Sequence, residues 1–208
     1  MARENRPKPK RRGLRFRMRT FLVVLTIFCV WLGWFLYRVE RQQETVAWVI
    51  GNGGNVRYDF EFSGGRAPFV PEWLREMLGV DCFSTIVSVG FYSDNTMRLP
   101  LSDVTPLASL TNLEGLRLAG TQVSDLTPIA KLTNLKELDL ATTQISDVTP
   151  LAGLTNLKRL KLFGTRVSDV TPLAGLTNLE ELVLSKTQVS DEQIDKLKQA
   201  LPNCRIIR

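Results

Sequence analysis

Histidine is absent from all 208 residues. With it go the commonest general base near neutral pH, the imidazole of many zinc sites and the Ser-His-Asp triad. Cysteine is scarce: Cys29 lies in an apolar run, while Cys82 and Cys204 fall at opposite ends of a repeated segment. Four repeats at about 4.8 Å per strand set those two roughly 20 Å apart, beyond the ~7 Å that a disulfide allows between Cα atoms. No disulfide is expected, and both thiols read as small apolar fillers of the two caps. A net basic charge is missing from the body of the chain. Residues 1–19 hold nine basic residues against Glu4, a net +8, so the overall +6 leaves −2 for the other 189 residues. A nucleic-acid-binding body would carry a basic face, and no nucleic-acid partner is expected. No phosphate-binding loop, metal cluster or nucleophile elbow is present; Gly51-Asn52-Gly53-Gly54 lacks a βαβ context and reads as a turn.

Charge is also absent from Thr20 to Tyr37, TFLVVLTIFCVWLGWFLY. Eighteen residues at 1.5 Å each span about 27 Å, enough for a hydrocarbon core. Trp31, Trp34 and Tyr37 sit in the second half, as interfacial aromatics do. The run ends Trp34-Phe35-Leu36-Tyr37-Arg38, which lacks the small residues of a signal-peptide cleavage site. The sequence therefore predicts an uncleaved transmembrane helix over 20–37. The basic tail of 1–19 stays in the cytoplasm against anionic lipid, and everything after about residue 38 is extracytoplasmic.

The strongest signal is a fixed period. Thr-Asn-Leu begins at Thr111, Thr133, Thr155 and Thr177, each 22 residues after the last. Every unit reads L-x-x-L-x-L-x-x-T-x-V-S-D, with Ile145 replacing Val once. The first unit is Leu113, Leu116, Leu118, Thr121, Val123, Ser124 and Asp125. An imperfect earlier unit fits Ile86, Val89 and Phe91, carries an insertion around 93–98, and rejoins at Leu101-Ser102-Asp103. Over residues 86–190 this pattern resembles the 22-residue leucine-rich repeats of bacterial internalin-type proteins. One departure is threonine (Thr121, Thr143, Thr165, Thr187) where those repeats carry asparagine after the strand. The resemblance implies binding to other proteins and names no ligand; with the apolar run and basic tail, the expectation is a bacterial protein anchored in the cytoplasmic (inner) membrane, with no cofactor.

Each unit also has its own physical logic. The x-L-x-L-x stretch makes a short strand with alternate residues inward. Ser-Asp-Val-Thr-Pro-Leu then starts a short helix or 3-10 turn, with Thr127, Thr149 and Thr171 as N-caps and Pro128, Pro150 and Pro172 at the first helical position. Ile129, Leu151 and Leu173 close the core from the convex side. No unit buries its own leucines, so the units are stable only when stacked. The expected architecture is an α/β solenoid, a leucine-rich-repeat horseshoe segment following one transmembrane helix. Residues 38–85 form a juxtamembrane segment and N-terminal cap, with a short helix and strand around Trp48–Phe62 and another helix over 71–78. Residues 191–208 form a helical C-terminal cap, with Ile194, Leu197 and Leu201 on one face and Pro202 ending it.

Function is sought where the repeats differ. The outward strand positions are Gly115, Arg117, Ala119; Glu137, Asp139, Ala141; Arg159, Lys161, Phe163; and Glu181, Val183, Ser185. Their charge alternates from strand to strand. At strand spacing Asp139 pairs with Arg117 and Lys161, and Arg159 with Glu137 and Glu181. Such a stripe is either a self-neutralising ladder or a mixed-charge recognition face for a protein or peptide, with Phe163 and Val183 as apolar anchors. An envelope scaffold assembling through caps or the convex face is the alternative. Asp59, Glu61, Asp81 and Asp94 lack catalytic spacing, so no enzyme is expected. The aspartate column (Asp103, Asp125, Asp147, Asp169, Asp191) gives one carboxylate per coil, too few oxygens for calcium, and reads as turn caps.

Overall fold

A computed structural model of the chain describes residues 18–62, 71, 84–91 and 99–208. The N-terminal tail, the bulk of the helix expected over 71–78, Cys82, Asp81 and Asp94 lie outside the described residues. The chain divides into two units between Arg38 and Val39.

The repeats wind into a coil with a sheet on one side. Strands β2 (Ile86–Phe91), β3 (Gly115–Arg117), β4 (Glu137–Asp139), β5 (Arg159–Lys161), β6 (Glu181–Val183) and β7 (Arg205–Ile207) pair in parallel and in sequence order. Strand β1 (Gly54–Tyr58) joins antiparallel to β2 and completes seven strands. The repeat strands are shorter than the x-L-x-L-x pattern, because only the residues around Leu116 and its equivalents keep regular pairing. The ladder nevertheless continues through Leu118 N–H to Asp139 O and Gly120 N–H to Ala141 O.

Side chains follow the two-residue pleat. Val89, Leu116, Leu138, Leu160, Leu182 and Ile206 share one register line, and the four repeat leucines among them are at most 1% exposed. Burying such a side chain stabilises by about 1.5–3 kcal/mol, which only the neighbouring coil makes available. On the opposite side, Thr105–Ser109, Thr127–Ile129, Thr149–Gly153 and Thr171–Gly175 form 3-10 turns that bury Leu107, Ile129, Leu151 and Leu173.

Capping of these turns differs from the sequence expectation. Thr127, Thr149 and Thr171 are the first residues of their turns and not the caps. The capping positions are Leu126, Val148 and Val170, which have no side-chain cap bond. Instead the aspartate two residues upstream accepts the threonine N–H: Asp125 from Thr127 (2.8 Å), Asp147 from Thr149 (2.8 Å) and Asp169 from Thr171 (2.9 Å). A carboxylate reaches the free N–H better than the hydroxyl of the residue that carries it.

Two further ladders stitch coil to coil. Asn134, Asn156 and Asn178 each donate Nδ2–H to the carbonyl of the Thr-Asn-Leu threonine one coil earlier, Thr111, Thr133 and Thr155, at 2.8–2.9 Å. Backbone bonds run from Gln122 to Leu101, Gln144 to Val123, Arg166 to Ile145 and Gln188 to Val167. The threonines that replace asparagine after the strand turn inward, and Thr121, Thr143 and Thr165 are buried. Each donates its hydroxyl to the carbonyl three residues earlier in its own coil. The fold is unchanged, and the asparagine bridge sits elsewhere in the repeat.

At the N-terminal end, helix α1 (Met18–Gly51) continues past Tyr37 without a break. Its residues 21–34 are exposed, apolar Val30 and Trp34 among them. The helix is long and apolar enough to cross a membrane, a property that an anchor and a signal sequence share. From Val39 on, α1 belongs to the repeat unit and acts as its cap. Thr45 and Val49 are buried, Val46 and Trp48 pack on the core, and Trp48 meets Phe91 edge-on at 5.8 Å. Gln42 donates to Ser84 O (3.1 Å), and Thr45 Oγ1 lies 3.1 Å from Ser109 Oγ. The turn into β1 is tight: a Cβ on Gly54 would stand 2.7 Å from Val49 and 2.8 Å from Phe91. A short helix, α2 (Asp59–Phe62), follows β1.

The C-terminal cap is helix α3 (Asp191–Ala200) and strand β7. Ser190 caps α3 by accepting Gln193 N–H, and Ile194, Leu197 and Leu201 are buried. Cys204 and Ile206 pack partly buried against the last coil. Burial, and then the charge of Glu181, raise the Cys204 thiol above its ordinary pKa.

Candidate functional site

The parallel register aligns the outward residues into rungs that cross the sheet. One rung runs Arg57, Ser88, Gly115, Glu137, Arg159, Glu181, Arg205. The next runs Asn55, Gly90, Arg117, Asp139, Lys161, Val183, Ile207. Side chains on a rung stand about 4.8 Å apart.

The alternating signs use that spacing. Arg159 forms an ion pair with Glu137, and Lys161 Nζ lies 3.8 Å from Asp139. Beside the strands, Lys136 pairs with Glu114 (2.7 Å) and Lys158 with Glu180 (2.8 Å). The hydrogen bond from Lys158, and then its charge, hold the Glu180 carboxyl below its ordinary range. These side chains are mostly near half exposed, so each pair is worth at most about 1 kcal/mol. Their larger effect is to hold the long side chains in place along the sheet.

The outward face encloses a concavity of about 760 Å³. Arg117, Glu137, Asp139, Arg159, Lys161 and Glu181 all line it, so six of the eight residues chosen from the sequence come together. Phe163 and Val183 are not among the lining residues. Val183 is half-buried at its rung position. Phe163 is half-buried as well, and Lys186 Nζ sits 5.0 Å from its ring centre as a cation–π partner. The aromatic is therefore covered by the next coil.

The lining also contains Asn55, Arg57 and Ser88, which the sequence reading left out, and Asp59, which it did not place on this face. The first two alternate with the half-buried Val56 and Tyr58 along β1. That alternation was the available signal, but β1 lies outside the repeats and its partner strand was unknown. Asp59 accepts Thr85 N–H at 3.3 Å.

A second column marks the edge of this face. Gly120, Thr142, Gly164 and Lys186, spaced by 22 residues, all have positive φ, between 57° and 76°. The chain turns out of the strand there in the left-handed region. Glycine adopts this at no steric cost, while Thr142 and Lys186 do so against it.

A coil of 22-residue units with a parallel sheet, 3-10 turns opposite and stacked leucines between is the leucine-rich-repeat fold. Residues 100–153 and 155–199 match the family of leucine-rich repeats, in two copies. Among solved structures, the chain is similar to an internalin of Listeria monocytogenes at 33% identity (TM-score 0.49), over 51% of this chain and 31% of that one. It is similar to a leucine-rich-repeat protein of Leptospira interrogans at 22% (TM-score 0.51), over 59% and 37%. The leucine-rich-repeat ectodomain of a receptor kinase of Arabidopsis thaliana matches at 17% (TM-score 0.53), over 81% and 91%. The chain spans only about a third of the two bacterial structures. No curated protein sequence matches it.

Proposed function

We propose that this protein is a non-catalytic interaction module of a bacterial inner membrane. In this reading residues 20–37 are an uncleaved anchor, the basic tail faces the cytoplasm, and the repeats stand on the other side. The concave sheet binds a protein segment. The observation that carries the reading is the concavity itself, where charged side chains from β1 to β6 converge on one face. The residues that recur in every coil are consumed by the core, the turns and the inter-coil bonds, so the variable outward positions are what remains for recognition. A leucine-rich-repeat domain is a protein-binding surface, and its match over residues 100–199 supports the class of partner. A scaffold that assembles through its caps is the second reading, favoured by the pairing of Arg159 with Glu137 and Lys161 with Asp139.

Photo-crosslinking in cells separates the two. A photoreactive residue at Lys161 reports the concave face, and one at Gly153, whose Cβ position is open, reports the convex side. Adducts to one defined protein from position 161 alone support recognition by the sheet. Adducts from 153 alone, or from neither, overturn it. Protease treatment of spheroplasts tests the orientation: digestion of the repeats with protection of an N-terminal tag is the expected result.

A further inference from the structure

Five cations and five carboxylates line the concavity, and their ion pairs are not spread evenly along the sheet. Glu114, Glu137 and Asp139 are each tied to a cation on the following coil, Lys136, Arg159 and Lys161. All three pairs draw positive charge towards the C-terminal side. At the other end, over β1 to β3, the lining holds Arg57, Arg117 and Asp59. Among the described residues Arg57 is exposed and makes no ion pair.

The relief of the sheet is lowest at the same place. Between Arg57 and Glu137 the rung carries only Ser88 and Gly115, and between Asn55 and Arg117 it carries only Gly90. On the first of these rungs three strand steps, about 14 Å, separate Arg57 on β1 from Glu137 on β4 with only Ser88 and Gly115 between them, while on the second Arg117 stands one step before β4. Ser88 lies directly over Gly115, where an added Cβ would stand 3.1 Å from its Oγ. The result is a shallow recess, floored by small residues, with one cationic wall.

We infer that this recess is the specificity subsite of the sheet and takes an acidic side chain, Asp or Glu, of an extended protein segment, with Arg57 as its charge partner. The inference rests on the concave-face reading given above. A small floor lets the segment approach the backbone closely. The guanidinium then meets a carboxylate in a partly desolvated setting, where charge pairing discriminates between partners.

The test selects a phage-displayed random peptide library on the full-length protein in detergent. Three baits are compared: the wild type, Arg57→Glu, and Lys131→Glu, which makes the same change of net charge on the exposed convex side. Peptides from the wild type are expected to carry Asp or Glu at one fixed position. Arg57→Glu is expected to turn that position to Lys or Arg and to weaken the wild-type peptides on the order of tenfold or more. Lys131→Glu is expected to change neither. An absence of acidic preference, or a preference unaltered by Arg57→Glu, overturns the subsite. The same peptides are then measured on Lys161→Glu. Sensitivity there without an acidic preference sinks the recess alone. Indifference to every concave change, or no enrichment at all, sinks the concave reading and the recess with it.

Discussion

The repeat coils and the N-terminal cap close one continuous core by different means. In the coils each residue has a counterpart 22 positions away, and each leucine is buried by its own equivalents. In the cap nothing recurs. One face of α1, with Thr45, Val46 and Val49, stands in for a missing coil, and the antiparallel β1 stands in for a missing parallel strand. The coils tolerate local faults because neighbours repeat the same contacts. The cap depends on a few unique ones, and it is built from the same helix as the apolar segment. The comparison teaches that this solenoid starts at the helix, before its first repeat.

The sharpest way to break that contrast is truncation. Removal of residues 1–38 is expected to leave Val39–Arg208 folded, since the unit boundary falls there. Removal of 1–52 takes away the buried Thr45 and Val49 and is expected to abolish cooperative unfolding of the first coils. Circular dichroism melts of the two proteins decide it, and equal melts would show that α1 is not the cap. Next in size is Leu138→Ala, which empties a site 1% exposed between two coils. A loss of about 2–5 kcal/mol in chemical denaturation is expected. At the cap, Gly54→Ala forces a Cβ against Val49 and Phe91 and is expected to cost about 1–3 kcal/mol through overpacking.

Smaller effects sharpen the comparison among the coils themselves. Thr142→Gly and Lys186→Gly relieve left-handed backbone and are each expected to stabilise by up to about 1–2 kcal/mol, less the entropy that glycine loses. Gly164→Thr, at the equivalent place, is expected to move stability the other way, and the same sign for both changes would refute the strain. Acid acts on every coil at once. Hydrogen bonds from Thr105, Thr127, Thr149 and Thr171 lower the carboxyl pKa of Asp103, Asp125, Asp147 and Asp169 from the ordinary 3.8. The folded chain then binds fewer protons than the unfolded one. Their contribution is complete above 3.8 and is lost as pH falls through the lowered values. Replacing all four by Asn, which keeps an acceptor but does not titrate, is expected to flatten the acid limb of a stability-against-pH curve. An unaltered limb would remove the role assigned to these turns.

Legibility in the sequence followed the same division. Leu116, Leu138, Leu160 and Leu182 announce their burial by repetition, and the register of Glu137 with Arg159 and of Asp139 with Lys161 follows from the period. The C-terminal helix was legible from Ile194, Leu197 and Leu201. Three kinds of feature were not. At the 3-10 turns both the aspartates and the threonines read as caps; the aspartate reading holds, and spacing alone does not separate Asp125 from Thr127. The partner of Phe163 is Lys186 in the next coil, at a position whose positive φ its residue type does not signal. The extent of α1 was hidden because Arg38, Glu40 and Arg41 end the apolar run without ending the helix. The β1 side of the concavity was missed for a related reason: an antiparallel partner from outside the repeats leaves no periodic trace.

Alternating charge along the rungs gives the array a parity. Glu137, Arg159, Glu181 and Arg205 follow one another on one rung, and Arg117, Asp139 and Lys161 on the next. Excision of the single coil 133–154 would set Arg117 beside Lys161, and excision of 155–176 would set Glu137 beside Glu181. Like charges directly across a sheet are destabilising. Excision of both coils together brings no such pair into contact, because Gly115 and Arg117 then meet Glu181 and Val183. A solenoid of identical units can lose any one of its turns alike, whereas here the loss of either central coil alone sets like charges side by side.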